Sequence, residues 1–172
     1  MLIFAPFIVS TSDHQKVEVA IRPAIQGDLE QAKKDWQTDW TSDYIAQSQA
    51  EIYAMQSGNG ELVALGAYEI LASSVVVHII YLESHPESNP TITGKNRKYS
   101  GIGQALVSFG IKLPVDYGFG GDVTFEAKTS ELAEHHQADF GAIPLPAFDA
   151  LTPSRFLLSG EAAKIIFSQY LK

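Results

Sequence analysis

Arg97-Lys98-Tyr99-Ser100-Gly101-Ile102-Gly103-Gln104-Ala105-Leu106 is a polar loop that passes through two glycines into an amphipathic helix. Beyond Gly101 the apolar residues fall at Ile102, Ala105, Leu106, Phe109 and Leu113, the i, i+3, i+4, i+7 spacing of a helix with one buried face. The first turn of a helix leaves backbone N–H groups unpaired and carries roughly half a positive charge, so a phosphate docks there when nothing bulky blocks its approach. Gly101 and Gly103 remove the bulk. Upstream, Ser74-Val75-Val76-Val77-His78-Ile79-Ile80-Tyr81-Leu82 is the most β-branched run in the chain, the composition of a strand deep in a sheet. Two glycines at a helix start also suit an ordinary turn or close packing, and the pattern alone leaves both readings open.

On either side of this unit the chain alternates clear strand and helix signals. Val17 to Arg22 reads as a first strand ended by Pro23, and Gly27-Asp28-Leu29-Glu30 opens a helix running to about Thr38. Thr41 to Gln49 is polar and suits a second short helix. Glu51 to Ser57 and Glu61 to Ile70 are strands joined by Gly58-Asn59-Gly60, a hairpin turn in which Asn and Gly tolerate positive φ. The Val-rich run is the fourth strand, and a long loop with Pro86, Pro90 and Gly94 leads to the glycine unit. Its helix runs at least to Leu113, where Pro114 ends or kinks it. Asp122 to Ala127 is a fifth strand, and a helix from Glu131 to Phe140 is stopped by Gly141. Ala142 to Leu145 and Ser154 to Leu158 are two more strands, and Gly160 to Leu171 is a last helix capped by Ser159. The layout is α+β around one mixed, mostly antiparallel sheet of about six to seven strands.

With 172 residues, 45% of them hydrophobic, the chain supports a single domain over 17–172, with 1–16 as an N-terminal extension or extra strand. Met1 to Ser10 lacks a basic leader and is too short to span a bilayer. There is no cysteine, which excludes disulfides, thiolate nucleophiles and Cys-based metal sites and makes a reducing cytoplasm the natural setting. A net charge of -8 argues against a nucleic-acid partner and favours cationic substrates. Lys95, Asn96, Arg97 and Lys98 form the one basic patch of note, beside the glycine unit.

The unit matches neither a P-loop, which needs Gly-x-x-x-x-Gly-Lys-Ser/Thr, nor a Rossmann fingerprint with its third glycine. Lys98-Tyr99-Ser100-Gly101-Ile102-Gly103 instead resembles the Arg/Gln-x-x-Gly-x-Gly/Ala pyrophosphate loop of the GNAT-superfamily N-acetyltransferases. Phe125-Glu126-Ala127-Lys128-Thr129 through His135-His136 to Phe140-Gly141-Ala142 is similar to that family's fifth strand and following helix, and the element order agrees from about Val17 to Leu158. The resemblance implies a GNAT-like sheet whose fourth and fifth strands splay to admit acetyl-coenzyme A, with no metal. It also implies acetyl transfer to a primary amine by direct attack in a ternary complex. The acceptor is a small molecule or a protein amine that the sequence does not name, and a homodimer is one possible assembly. A coenzyme A-binding module without turnover is the alternative, and an interaction domain without cofactor is a weaker one.

By the same resemblance, backbone N–H groups from Tyr99 to Gln104, through Ser100, Gly101, Ile102 and Gly103, hold the pyrophosphate, with Lys98 beside them. Tyr81, Leu82 and Glu83 line the pantetheine, and Thr129 takes the place of an asparagine. A backbone N–H near Leu82 or Glu83 serves the oxyanion. Glu83 is the candidate base, or simply a solvated strand end. His136 stands where the family carries a tyrosine acid, and it either meets the sulfur or lies on the helix flank. Trp36 and Trp40, with Tyr44, wall the acceptor cleft or belong to the core. Asp39 and Glu126 are candidates for binding a cationic acceptor.

Overall fold

The computed structural model describes residues 1–71, 76–94, 96–116, 118, 120–127, 134, 137–146 and 154–172. The first half of the chain lays down β1 (Phe7–Ser10), β2 (Lys16–Pro23), α1 (Gln26–Ala32), α2 (Asp43–Ala46), β3 (Glu51–Ser57) and β4 (Leu62–Leu71). It continues with β5 (Val76–Ser84), a 3-10 turn at Pro86–Ser88, α3 (Pro90–Thr93), β6 (Tyr99–Ser100) and α4 (Ile102–Asp116). The last elements are β7 (Val123–Ala127), β8 (Ile143–Pro144), β9 (Ser154–Leu158) and a closing helix, α5 (Gly160–Ser168).

Among the described residues one sheet carries nine strands in the order β6-β1-β2-β3-β4-β5-β7-β9-β8, and of their pairings only β5 with β7 is parallel. The count exceeds the six to seven that the sequence predicts because β1 enters the sheet and β6 closes on it through Val9↔Ser100 and Ser10↔Tyr99. A two-residue strand has no room for a period-2 signature, so β6 is invisible before long-range pairing is known. The glycine unit is thereby tied to the N-terminal strand.

Hydrophobic alternation sorts the sheet's two faces. On one, Val107, Phe109 and Ile111 of α4 and Ala163 and Ile166 of α5 pack on Val77, Ile79, Val123 and Phe125. Tyr68, fully buried there, donates its hydroxyl to Leu106 O at 2.8 Å, which satisfies the one polar atom of a core ring. On the other face, Ala32, Trp36, Trp40 and Ile45 cover Ala54, Leu65 and Ala67. No described helix is long and apolar enough to cross a membrane.

Two helix boundaries bear on the sequence expectations. Pro114 does not end α4, which continues to Asp116. A proline costs a helix the bond its missing N–H would make, here to Gly110, and close to the C-terminus the remaining bonds survive. Conversely, α1 stops at Ala32 rather than near Thr38. The N–H groups of Gln37 and Thr38 are taken by a side chain of β5, which draws the chain out of the helical path.

Candidate functional site

The parallel ladder between β5 and β7 is only three rungs long: Val77↔Val123, His78↔Thr124 and Ile79↔Phe125. Beyond Ile79, β5 continues to Ser84 paired with β4 alone, and β7 pairs with β9. The strands separate. At the same level β5 carries one extra residue, because Tyr68 pairs with Ile79 and Ala67 with Tyr81, leaving Ile80 unmatched. Such a bulge turns two consecutive side chains to one face. Ile80 and Tyr81 both join the tryptophan cluster, whereas Ile79 and Leu82 pack on the α4 side.

The gap opens into a cleft of about 910 Å³, within the range of small-molecule and cofactor sites. Its walls are β5 from Ile79 to Ser84, the start of α4 with the preceding Tyr99 and Ser100, Phe125 and Glu126 of β7, and the segment 88–91. Gly101 has φ +80 and Gly103 has open space where a Cβ would stand. The carbonyl of Gly101 accepts the N–H of Ala105 at 3.1 Å, which starts the helix. The N–H groups of Ile102, Gly103 and Gln104 have no partner among the described residues, and all three residues line the cleft. Four features therefore fit a diphosphate followed by an extended, amide-bearing arm: free helix-start donors, an unobstructed approach, a cation at Arg97 and a strand edge without a partner strand.

Comparison with known proteins bears on the architecture. No protein-family model matches the sequence, and no curated protein does either. Solved structures do match. One is a GNAT-family acetyltransferase from Listeria monocytogenes, 12% identical, covering 90% of this chain and 99% of that one at a TM-score of 0.57. Another is spermidine N-acetyltransferase from Vibrio cholerae in complex with CoA and spermine, 12% identical, covering 85% of this chain and 98% of that one at 0.56. The fold is that of the GNAT acetyltransferases.

Within this GNAT fold, the sequence-derived residues fall into three groups. Tyr81, Leu82, Glu83, Tyr99, Ser100, Gly101, Ile102, Gly103, Gln104 and Glu126 share the cleft. Thr129 and His136, with His135, lie outside the described residues. The others face elsewhere. Lys98 does not line the cleft: its ammonium is 3.1 Å from Glu61 and 3.7 Å from Glu87, and the hydrogen bond it donates to Glu61 raises its pKa. Arg97, one residue earlier, is the Lys or Arg that lines the cleft among the described residues. Trp36 and Trp40 are core residues, 8% and 1% exposed, and neither lines the main cleft. Asp39 is exposed and accepts from the Thr41 hydroxyl and backbone N–H, which holds its carboxyl below the usual range.

Glu83 is neither solvated nor loosely placed. It is 7% exposed, and its carboxylate accepts from Gln37 N (2.8 Å), Thr38 N (3.3 Å) and Trp40 Nε1 (2.9 Å). The parity change at the Ile80 bulge puts Glu83 on the tryptophan face, where it pins the α1–α2 connection to the cleft. Glu126 accepts from Arg155 Nε at 3.2 Å and lies 4.0 Å from His78 Nε2. His78 also bonds Thr124 Oγ1 at 2.8 Å, and burial pushes its pKa down.

Gln37, Ser88, Asn89 and Thr91 line the cleft without having been singled out from the sequence. Asn89-Pro90 is a legible helix start, since the Asn89 side chain accepts the N–H of Thr91 at 3.0 Å. Gln37 left no local signal. Its place depends on bonds to β5 and to Asn89, 46 and 52 residues away.

Proposed function

We propose that the chain moves an acetyl group from acetyl-coenzyme A to a primary amine by direct attack within a ternary complex. The observation that carries this reading is the meeting, in one cleft, of the β5–β7 splay with the unpartnered helix-start N–H groups of α4. Acetyl-coenzyme A supplies the activated acyl group as a thioester. The N–H groups of Ile102, Gly103 and Gln104, with Arg97, hold the diphosphate. The stretch of β5 past its last rung with β7, along Leu82 and Glu83 and beside Tyr81, accepts and donates to the amide-bearing arm. A backbone N–H near Leu82 or Glu83 stabilises the oxyanion. Glu83 meets the incoming ammonium and takes its proton, since three donors leave one of its roughly four acceptor positions open. His136 remains the candidate to return a proton to the thiolate.

Calorimetric titration with acetyl-coenzyme A tests the cofactor half. Gly103→Glu is the variant of choice, because its Cβ enters open space, whereas Gly101 sits at φ +80 and any side chain there is strained. Like charges juxtaposed at a binding surface cost several kcal/mol, so affinity should fall about 100-fold or more, with Gly103→Ala retaining it. Unchanged binding by Gly103→Glu, or none by the folded wild type, overturns the reading. Thiol release with an amine panel then separates turnover from binding alone.

A further inference from the structure

The orientation of one amide in the cleft is fixed by its neighbours. The backbone N–H of Thr91 can only donate, and it gives its proton to Asn89 Oδ1 at 3.0 Å. Asn89 therefore points its Nδ2 at Gln37, 3.2 Å away, and the Gln37 atom that receives it is the oxygen, Oε1. The Thr91 hydroxyl lies at the same 3.2 Å from that oxygen. The other end of the amide, Nε2, carries two N–H donors with no partner among the described residues, and Gln37 lines the cleft.

Beside it stands an anion. The backbone N–H of Gln37 is 2.8 Å from Glu83 Oε2, which makes amide and carboxylate immediate neighbours on the cleft wall. The donors to Glu83 are all neutral, and no Lys, Arg or His pairs with it among the described residues. Neutral donors solvate a carboxylate without cancelling its charge, and a cation arriving through the cleft does both.

An acceptor that satisfies both groups carries an ammonium and, next to it, a neutral oxygen that accepts hydrogen bonds. We infer that the acceptor is an α-aminoacyl amide, such as the first residue of a peptide, its ammonium on Glu83 and its carbonyl oxygen on Gln37 Nε2. This rests on the acetyltransfer reading for its purpose but on the Gln37–Glu83 pair for its chemistry. A linear polyamine offers nothing to the Gln37 donors. A free amino acid brings a second carboxylate against Glu83.

Trp40 supplies the reporter. Its indole N–H donates to Glu83 Oε1 at 2.9 Å, so an ammonium reaching Glu83 moves the indole ¹⁵N–¹H signal. The sequence has two tryptophans, and Trp36→Phe assigns the pair of signals. The full chain is titrated with L-alaninamide, n-propylamine, L-alanine and spermidine, each with and without saturating coenzyme A. One gained hydrogen bond contributes about 1 to 1.5 kcal/mol, so alaninamide should bind about tenfold tighter than propylamine. Gln37→Met should erase that margin while leaving propylamine unchanged, and Gln37→Glu should turn the preference toward propylamine and spermidine. Equal affinity of alaninamide and propylamine overturns the inference, as does tighter binding of spermidine or alanine. So does a margin that survives Gln37→Met, or an indole signal that no amine moves in either state. Loss of coenzyme A binding with the margin intact removes the acetyltransfer reading alone, and a missing margin with coenzyme A bound removes this inference alone.

Discussion

Glu83→Ala probes the link between fold and cleft most directly. Two of the bonds it deletes are short, to Gln37 N–H at 2.8 Å and Trp40 Nε1–H at 2.9 Å, and the third, to Thr38 N–H, is long at 3.3 Å. Hydrogen bonds to a charged acceptor contribute about 1.5–3 kcal/mol. Gln37 is exposed, so water takes over part of its loss, whereas Trp40 is 1% exposed and its indole N–H is left unsatisfied. The deletion should cost about 3–4 kcal/mol in all, or a Tm lower by about 10 °C for a domain of this size. Glu83→Gln keeps one acceptor oxygen but turns an amide N–H₂ toward a donor, and should lose about half as much. Far-UV circular dichroism on heating, with guanidinium titrations at unchanged m-value, measures both. A cost below about 1 kcal/mol for Glu83→Ala would refute the account of α1 ending early because Glu83 captures its N–H groups. If Glu83 also takes the proton, folded Glu83→Gln loses kcat far beyond its loss of stability.

At the helix start, Gly101→Ala should cost about 1–2 kcal/mol because φ is +80. Gly103→Ala should be neutral or stabilising by about 0.5–1 kcal/mol, with nothing within 4 Å of the added Cβ; urea unfolding of the two variants checks the contrast. Asp28 accepts from both terminal nitrogens of Arg22 at 2.8 and 3.1 Å, and that guanidinium holds its carboxyl below the usual value. A depressed folded-state pKa contributes stability that is present above the unfolded value, about 3.9, and is lost as pH falls through the folded one. Tm measured from pH 5 down to pH 2 should therefore fall less steeply in Asp28→Asn than in the wild type.

The parts of this fold legible from sequence are those set by local period and turn chemistry. Ser154–Leu158 and Glu51–Ser57 emerge with the bounds their alternation suggests, and the helix after Gly101 follows its 3.6-residue stripe. The parts that were not legible depend on partners distant in the chain. β6 exists because Val9 and Ser10 reach it. Lys98 and Arg97 are equivalent as sequence, and the positions of Glu61, 37 residues earlier, and of Glu87 show which cation is drawn away from the cleft. Trp36 and Trp40 fit a cleft wall and a core equally well by spacing, until the sheet beneath them shows that they cover Ala54, Leu65 and Ala67.

The bulge at Ile80 ties these observations together. A strand keeps alternate side chains on alternate faces, so regular alternation onward from Ile79 would put Glu83 with Ile79 on the α4 side and Leu82 against the tryptophans. The insertion exchanges them. Leu82 then completes the apolar packing against α4, Glu83 reaches the α1–α2 connection, and both sit past the last β5–β7 rung, where β5 pairs with β4 alone. One added residue thus orients the carboxylate at the level where the strands part. The Gln37 amide follows, because the bond from its own N–H to Glu83 sets where that loop meets the Asn89 side chain.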